Sequence, residues 1–217
     1  IDSDKDLQYY KEQVIGKTIK VIPLLNNNKD HFVNNNLLAF YVECDNVEYV
    51  FPYKHPESIY QEYSVEDIIS QTKCYFYGKQ ILLYHNIITH NVYDLELVHY
   101  LNTNESLTTD YIDTDHFYQR TQPKYKNTNN LVSLANFVKY ARTMLSQANL
   151  SKEHGLVYYD ELQATMYLIE RNGLQVDTIN FTPIFGTPIN LIKDKVYTKY
   201  NFYTTTGRPS NRYGGIN

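Results

Sequence analysis

A mixed α/β fold is what the sequence predicts, and three observations carry that prediction. Three apolar runs separated by turn residues, Thr18 to Leu25, Leu37 to Cys44 and Val47 to Tyr53, have the spacing of an antiparallel meander. Helical and strand-like patterns then alternate from Ser64 to Leu101. Two stretches with helical periodicity follow, one from Leu131 to Gln147 and one around Tyr159 to Ile169. At 217 residues the chain is long enough for one good domain plus an attachment.

Taken in order, Ser3 caps a first helix reaching Ile15, with Leu7, Tyr10 and Val14 on one side and Gly16 as its stop. The three strands follow, with Asn26 to Asn28 and Asn34 to Asn36 as loop residues around one turn. Lys54-His55-Pro56-Glu57 closes the meander. Ser64, with Asp67 three positions on, starts a helix through about Thr72. Cys74 to Tyr77 is a short buried strand, Lys79 to Ile88 a short helix, Val92-Tyr93 a strand end, and Asp94 to Leu101 a helix that Asp94 caps.

Thr108 to Asn130 is a long surface connection in which Lys124-Tyr125-Lys126 is either a solvated loop or a backbone contact for nucleic acid. Leu131, Leu134, Val138, Ala141 and Leu145 form a core-facing stripe on the next helix. Ser146 to Gly155 marks a boundary between residues 1–150 and 151–217. Beyond it Tyr159, Leu162, Met166 and Ile169 make a second packing stripe, and Gly173 ends that helix.

The formal charge of -4 argues against a chain that coats nucleic acid throughout. From Gly186 onward, however, five lysines and arginines face Asp194 alone, a balance of +4 that leaves -8 elsewhere. That basic stretch contains the run Thr204-Thr-Thr-Gly-Arg-Pro-Ser-Asn-Arg-Tyr-Gly-Gly-Ile-Asn217. Arg208 and Arg212 stand there beside Thr206, Ser210 and Asn211, the equipment for gripping phosphate oxygens. On residue chemistry alone it is either an ordinary exposed hairpin or a polyanion contact.

The run resembles the Thr-x-x-Gly-Arg-x-Ser element of family A DNA polymerases, most closely of viral or phage type. In that family the element lies at the entry to the palm and touches the primer-template backbone. The resemblance implies that Arg208, Thr206, Ser210, Asn211 and Arg212 bind DNA, with Arg208 as the phosphate clamp. Upstream, Tyr167-Leu-Ile-Glu-Arg-Asn-Gly-Leu-Gln-Val-Asp177 is similar to the Ile-Glu-x-x-Gly-x-x-Val-Asp segment that leads those enzymes out of their exonuclease domain.

Meander, helix, strand, helix is also the order of a ribonuclease H-like 3'-5' exonuclease domain. Glu48 to His55 resembles the Tyr-Ile-Pro-x-x-His end of that domain's third strand, and Tyr93 to Asn102 resembles its Phe-Asp-Thr-Met-Leu-x-x-Tyr-Leu-Leu helix. Such nucleases hold two divalent cations on four carboxylates. Here the first strand reads Lys20 to Leu25 without an acid, His85 follows Tyr84 where aspartate is expected, and no acid lies between Asp115 and Glu153. The implied domain is therefore an exonuclease fold without exonuclease chemistry, with no metal and no catalytic residue in this sequence. The competing arrangement uses Glu43, Asp45, Asp94 and Glu96 as relocated ligands.

The histidines have no metal-binding spacing and are expected to be structural or at the surface. Cys44 and Cys74 are expected to be reduced and buried in a cytoplasmic protein, in the host cell if viral, with no membrane segment. The resemblance departs from the family in two places. Thr178 to Lys195, with Pro183, Gly186 and Pro188, is too short and broken for the helical thumb. The palm aspartates that bind Mg²⁺ lie downstream of the signature, so the expected partners are primer-template DNA and the palm and fingers, as a continuing chain or a separate subunit. A non-catalytic docking protein on a degenerate exonuclease fold is the reading from a different class.

Overall fold

A computed structural model describes residues 1–25, 36–58, 63–70, 72–87, 90–107, 132–153, 155–177, 179–180, 191–192, 194–204 and 210–211. The chain opens with α1 (Asp4–Val14), capped by Ser3 and burying Leu7, Tyr10 and Val14. The meander follows as β1 (Thr18–Leu25), β2 (Leu37–Cys44) and β3 (Val47–Phe51). Then come α2 (Val65–Ile69), β4 (Lys73–Phe76), α3 (Gln80–Tyr84), β5 (Val92–Asp94) and α4 (Leu95–Thr103). Two longer helices, α5 (Leu134–Gln147) and α6 (Leu156–Asn172), precede short strands β6 (Leu174–Gln175), β7 (Leu191–Ile192), β8 (Lys195–Val196), β9 (Tyr200–Asn201) and β10 (Ser210–Asn211).

Strands one to five form a mixed sheet in the order β3-β2-β1-β4-β5. The meander is antiparallel, while β4 and β5 run parallel to β1 and are reached through helices. Asp45 and Asn46 turn the β2–β3 hairpin with φ of 49° and 64°, a two-residue turn whose twist matches that of the strands it joins. Pro23 is tolerated in β1 because β4 stops at Phe76, opposite Val21, so no ladder hydrogen bond is lost on that side. Pro52 likewise has no N–H to continue the ladder, and β3 ends at Phe51 rather than at the expected Tyr53.

Alternation along β1 sends Ile19 and Val21 to one face and Ile22 and Leu24 to the other, so each face needs its own cover. Helices α1, α2 and α3 close the first face. Tyr10 seals it by setting its ring edge-on to Tyr49 and Phe51 and donating its hydroxyl to the Ile68 carbonyl at 2.7 Å. Helices α4 and α5 close the second face with Leu95, Val98, Phe137, Ala141 and Met144. The ladder slips by one residue between Leu24 and Leu25, which shifts which β2 side chains meet which core. Among the described residues no helix is long and apolar enough to cross a membrane.

Two packing expectations change. On α5 the buried line is Phe137, Ala141, Met144 and Leu145, with Leu134 and Val138 only half-buried; Ser133 caps the helix, and Leu131 lies outside the described residues. On α6 the expected stripe faces outward: Tyr159, Leu162 and Ile169 are exposed, and the buried line is Leu156, Gln163, Tyr167 and Glu170. The helix is turned by one residue, about 100°, from the apolar reading.

Candidate functional site

The positions at which the exonuclease resemblance expects cation ligands carry other chemistry. Val21, Ile22 and Leu24 of β1 are packed in the core, and His85 is an exposed residue closing α3. Glu43 pairs with Lys20 at 2.6 Å, and Asp45 sits in the hairpin turn, not on the strand, paired with Lys17 at 3.2 Å. Asp94 caps α4, accepting from the backbone N–H of Glu96 at 2.9 Å and of Leu97 at 3.4 Å. Glu43 and Asp45 are thus engaged with lysines in and beside the hairpin, Asp94 caps α4 beside Glu96, and these donors do not fit a two-cation centre. Among the described residues no group of three or more histidine, cysteine or acidic side chains could hold a metal ion.

The described histidines are structural or at the surface. Buried His55 places Nε2 2.7 Å from the Val132 carbonyl, and its Nδ1 accepts the Glu57 N–H at 3.2 Å, so Nε2 carries the proton. His99 Nδ1 accepts the Asn149 N–H at 3.0 Å, while His85 and His90 are exposed. Both thiols are free and buried, and burial pushes each of them above its ordinary range.

A concentration of buried charge lies instead where α3, α4 and α6 meet the segment around β9. Lys79, at the start of α3, is buried and places Nζ 2.9 Å from both carboxylate oxygens of Asp160 on α6. Its backbone N–H donates to Asp94 Oδ2 at 2.9 Å. Asp94 Oδ1 also receives the Tyr203 hydroxyl at 3.4 Å, and that hydroxyl accepts Gln163 Nε2 at 2.8 Å. Glu170 takes the backbone N–H of Tyr200 on Oε1, and Lys199 faces both Glu170 and Glu96.

Burial dominates the electrostatics. Asp94 is pushed up to about 6 although three backbone N–H groups and Lys79 pull the other way. Glu96 rises to about 8, from burial and then from the neighbouring Asp94, with Lys199 opposing. Burial lifts Glu170 to about 7 against the Tyr200 N–H and Lys199. Lys199 is itself pushed down by burial, with Glu170 and Glu96 holding it up. Carboxyls that retain protons near neutrality are candidates for proton-dependent behaviour.

Two of the residues expected to contact DNA meet this cluster through the backbone. Ser210 and Asn211 form β10, antiparallel to β9, with Ser210 opposite Asn201 and Asn211 opposite Tyr200. Thr206, Arg208 and Arg212 lie outside the described residues. Of the cluster residues only Glu170 falls in a stretch with a family resemblance, as the Glu of Ile-Glu-x-x-Gly; Lys79, Asp160, Gln163, Lys199 and Tyr203 carry no motif. Their one sequence signal is the polar line Asp160, Gln163, Tyr167 and Glu170, which recurs at steps of three and four along α6. Comparison with protein-family models and with curated proteins found no match.

Proposed function

We propose that this chain is the N-terminal part of a family A DNA polymerase of viral type. In this reading residues 1–150 form a ribonuclease H-like 3'-5' exonuclease domain without its two-metal chemistry, and residues 151–217 lead into the palm. The observation that carries the reading is the strand order β3-β2-β1-β4-β5, an antiparallel meander continued by two parallel strands through helices, leading on to α6 and then to the β9–β10 pairing. Of the Thr-x-x-Gly-Arg-x-Ser element, Ser210 lies in β10, and Arg208 stands between the two strands in sequence.

The work assigned to this chain is positioning. Arg208 grips a backbone phosphate, Thr206, Ser210, Asn211 and Arg212 support it, and the charge-assisted contacts fix the duplex without reading its sequence. In this reading palm aspartates downstream of the element would hold Mg²⁺, and no catalytic step is assigned to the residues described here. Equilibrium binding to a primer-template duplex across a salt series tests the reading. A polymerase entry element gives affinity that falls steeply with salt and depends on Arg208, and affinity indifferent to Arg208 sinks it.

One observation favours a second reading, a replication-associated docking protein. The outward side of α6 and the residues after it expose Val157, Tyr158, Leu168, Ile169, Leu174 and Ile179. Exposed apolar surface of this kind marks interaction sites. Its occupant in this reading is the polypeptide that carries palm and fingers. Co-purification with that polypeptide in the absence of DNA binding selects docking over positioning.

A further inference from the structure

Helix α6 is inverted relative to an ordinary surface helix, with its polar line inward and an apolar face in solvent. Against the inward line lies the segment Lys199–Thr204, held by a small set of contacts. The Tyr200 N–H donates to Glu170, Gln163 donates to the Tyr203 hydroxyl, and that hydroxyl donates to Asp94. Tyr100 of α4 donates its hydroxyl to the Thr204 carbonyl at 2.9 Å. Phe202 stands edge-on to Tyr167 at 5.7 Å, and the Tyr203 ring tilts against Tyr100 at 5.6 Å.

The polar contacts are incomplete in a telling way. Glu170 Oε2 and Gln163 Oε1 are buried, and neither has a hydrogen-bond partner among the described residues. A carboxylate in that situation is costly when ionised and far less so when protonated. Charge counting gives the same result. Lys79 is committed to Asp160, which leaves Lys199 as the ammonium facing both Glu170 and Glu96, with Asp94 next to Glu96. Among the described residues, ionising all three carboxyls leaves a surplus of negative charge in this buried cluster.

We propose that this contact is a proton-controlled latch: while its carboxyls are neutral, Lys199–Thr204 stays seated on α6 and α4, and when they ionise the segment lifts and carries the β9–β10 hairpin with it. The inference rests on the proposed function only for what the hairpin carries.

The groups around each carboxyl decide the sign. Glu170 is faced by Lys199 from the segment, Tyr84 from α3 and Tyr167 from its own helix, with Arg171 adjacent in sequence. Asp94 is faced by Lys79, Glu96, Tyr167 and Tyr203, and Glu96 by Lys199 and by Tyr140 of α5. Burial raises Tyr84, Tyr140, Tyr167 and Tyr203, so these four stay neutral throughout. In the lifted state Glu170 returns to the ordinary carboxylate range. The seated state therefore holds a proton that the lifted state releases, and seating weakens as pH rises from about 5 through about 7. Lys199 is pushed down by burial, with Glu170 and Glu96 holding it up, and its own titration opposes the trend.

Amide hydrogen exchange of residues 197–204, corrected for the intrinsic dependence of exchange on pH, reads the latch directly. One raised pKa unit is a tenfold change in the seating equilibrium, so Glu170 alone gives on the order of a hundredfold loss of protection between pH 5 and pH 8. Glu170→Gln keeps an acceptor for the Tyr200 N–H and cannot ionise, so its protection is expected to fall less steeply over that range, the remaining slope coming from Asp94 and Glu96. Protection in the unaltered protein that does not change with pH overturns the latch, and so does a Glu170→Gln profile as steep as the original. Binding of a primer-template oligonucleotide at pH 6 and pH 8, at fixed salt, separates latch from function. Titrating protection with pH-indifferent DNA affinity upholds the latch and removes the hairpin from the DNA contact.

Discussion

Lys79 Nζ lies 2.9 Å from each carboxylate oxygen of Asp160, and this buried bidentate pair joins α3 of the sheet domain to the first turns of α6. Both side chains are largely out of solvent, so removing one partner strands the other in low dielectric. Asp160→Ala is expected to destabilise the protein by about 3 kcal/mol in urea unfolding. The double substitution Lys79→Met, Asp160→Leu is expected to recover most of that loss, since burying an ion pair costs nearly what the pair returns. If the double variant is as unstable as the single one, the pair is not an isolated electrostatic unit.

Stability is expected to fall as pH rises through neutrality. Asp94, Glu96 and Glu170 have folded-state values raised to about 6, 8 and 7, above their unfolded values near 4. The folded protein therefore holds protons that the unfolded chain has released. The stability these groups allow is fully present below about pH 4 and is lost as pH climbs toward 8. Glu96→Gln removes one such term and is expected to raise stability at pH 8 by on the order of 1 kcal/mol or more, with little change at pH 4. Chemical denaturation at the two pH values measures the difference, and equal effects at both exclude titration as the cause.

How much of this was legible in the sequence depends on where each element finds its partners. Ser3, the capping pair Ser64 and Asp67, and the runs Thr18–Leu25 and Leu37–Cys44 use local chemistry, and they stand at the expected places. Helix α3 was expected to reach Ile88 but ends at Tyr84, because Asn86 turns left-handed with φ of 57°. Helix α6 was misread for a different reason. Two lines recur along it at the same spacing, one residue apart, and hydropathy alone selects Tyr159, Leu162, Met166 and Ile169. The polar line wins because α3, α4 and the β9 segment present Lys79, Asp94 and Tyr203, and nothing local to α6 encodes those partners.

The β2–β3 turn offers a check on backbone conformation that is independent of the site. Asn46 has φ of 64°, where an ordinary side chain costs about 1 to 2 kcal/mol and glycine costs nothing sterically. Asn46→Val is expected to destabilise by about 1 kcal/mol or more, and Asn46→Gly to be neutral or slightly stabilising. Thermal melting of the two variants orders them, and the reverse order contradicts the turn geometry.

Exonuclease chemistry makes the sharpest distinction among the functional readings. Glu43 is tied to Lys20, Asp45 turns a hairpin beside Lys17, and Asp94 is consumed in capping α4. A nuclease with relocated ligands needs these groups to converge on cations, so single-stranded DNA incubated with the protein and Mg²⁺ is expected to remain intact. Digestion that disappears in Asp94→Asn would restore the nuclease reading. In the polymerase reading the same DNA-binding experiment has a different centre: Arg208→Ala weakens primer-template binding and lowers the salt slope by about one counterion-release unit. The slope is the better measure, because a variant that merely misfolds loses binding at every salt concentration, whereas loss of one phosphate contact changes how affinity responds to salt. A Lys126→Ala variant, altered in the long connection, separates a local clamp from diffuse attraction. Slopes reduced equally by Arg208→Ala and Lys126→Ala mean that the duplex is held by general positive charge, and the assignment of Arg208 as the clamp then fails.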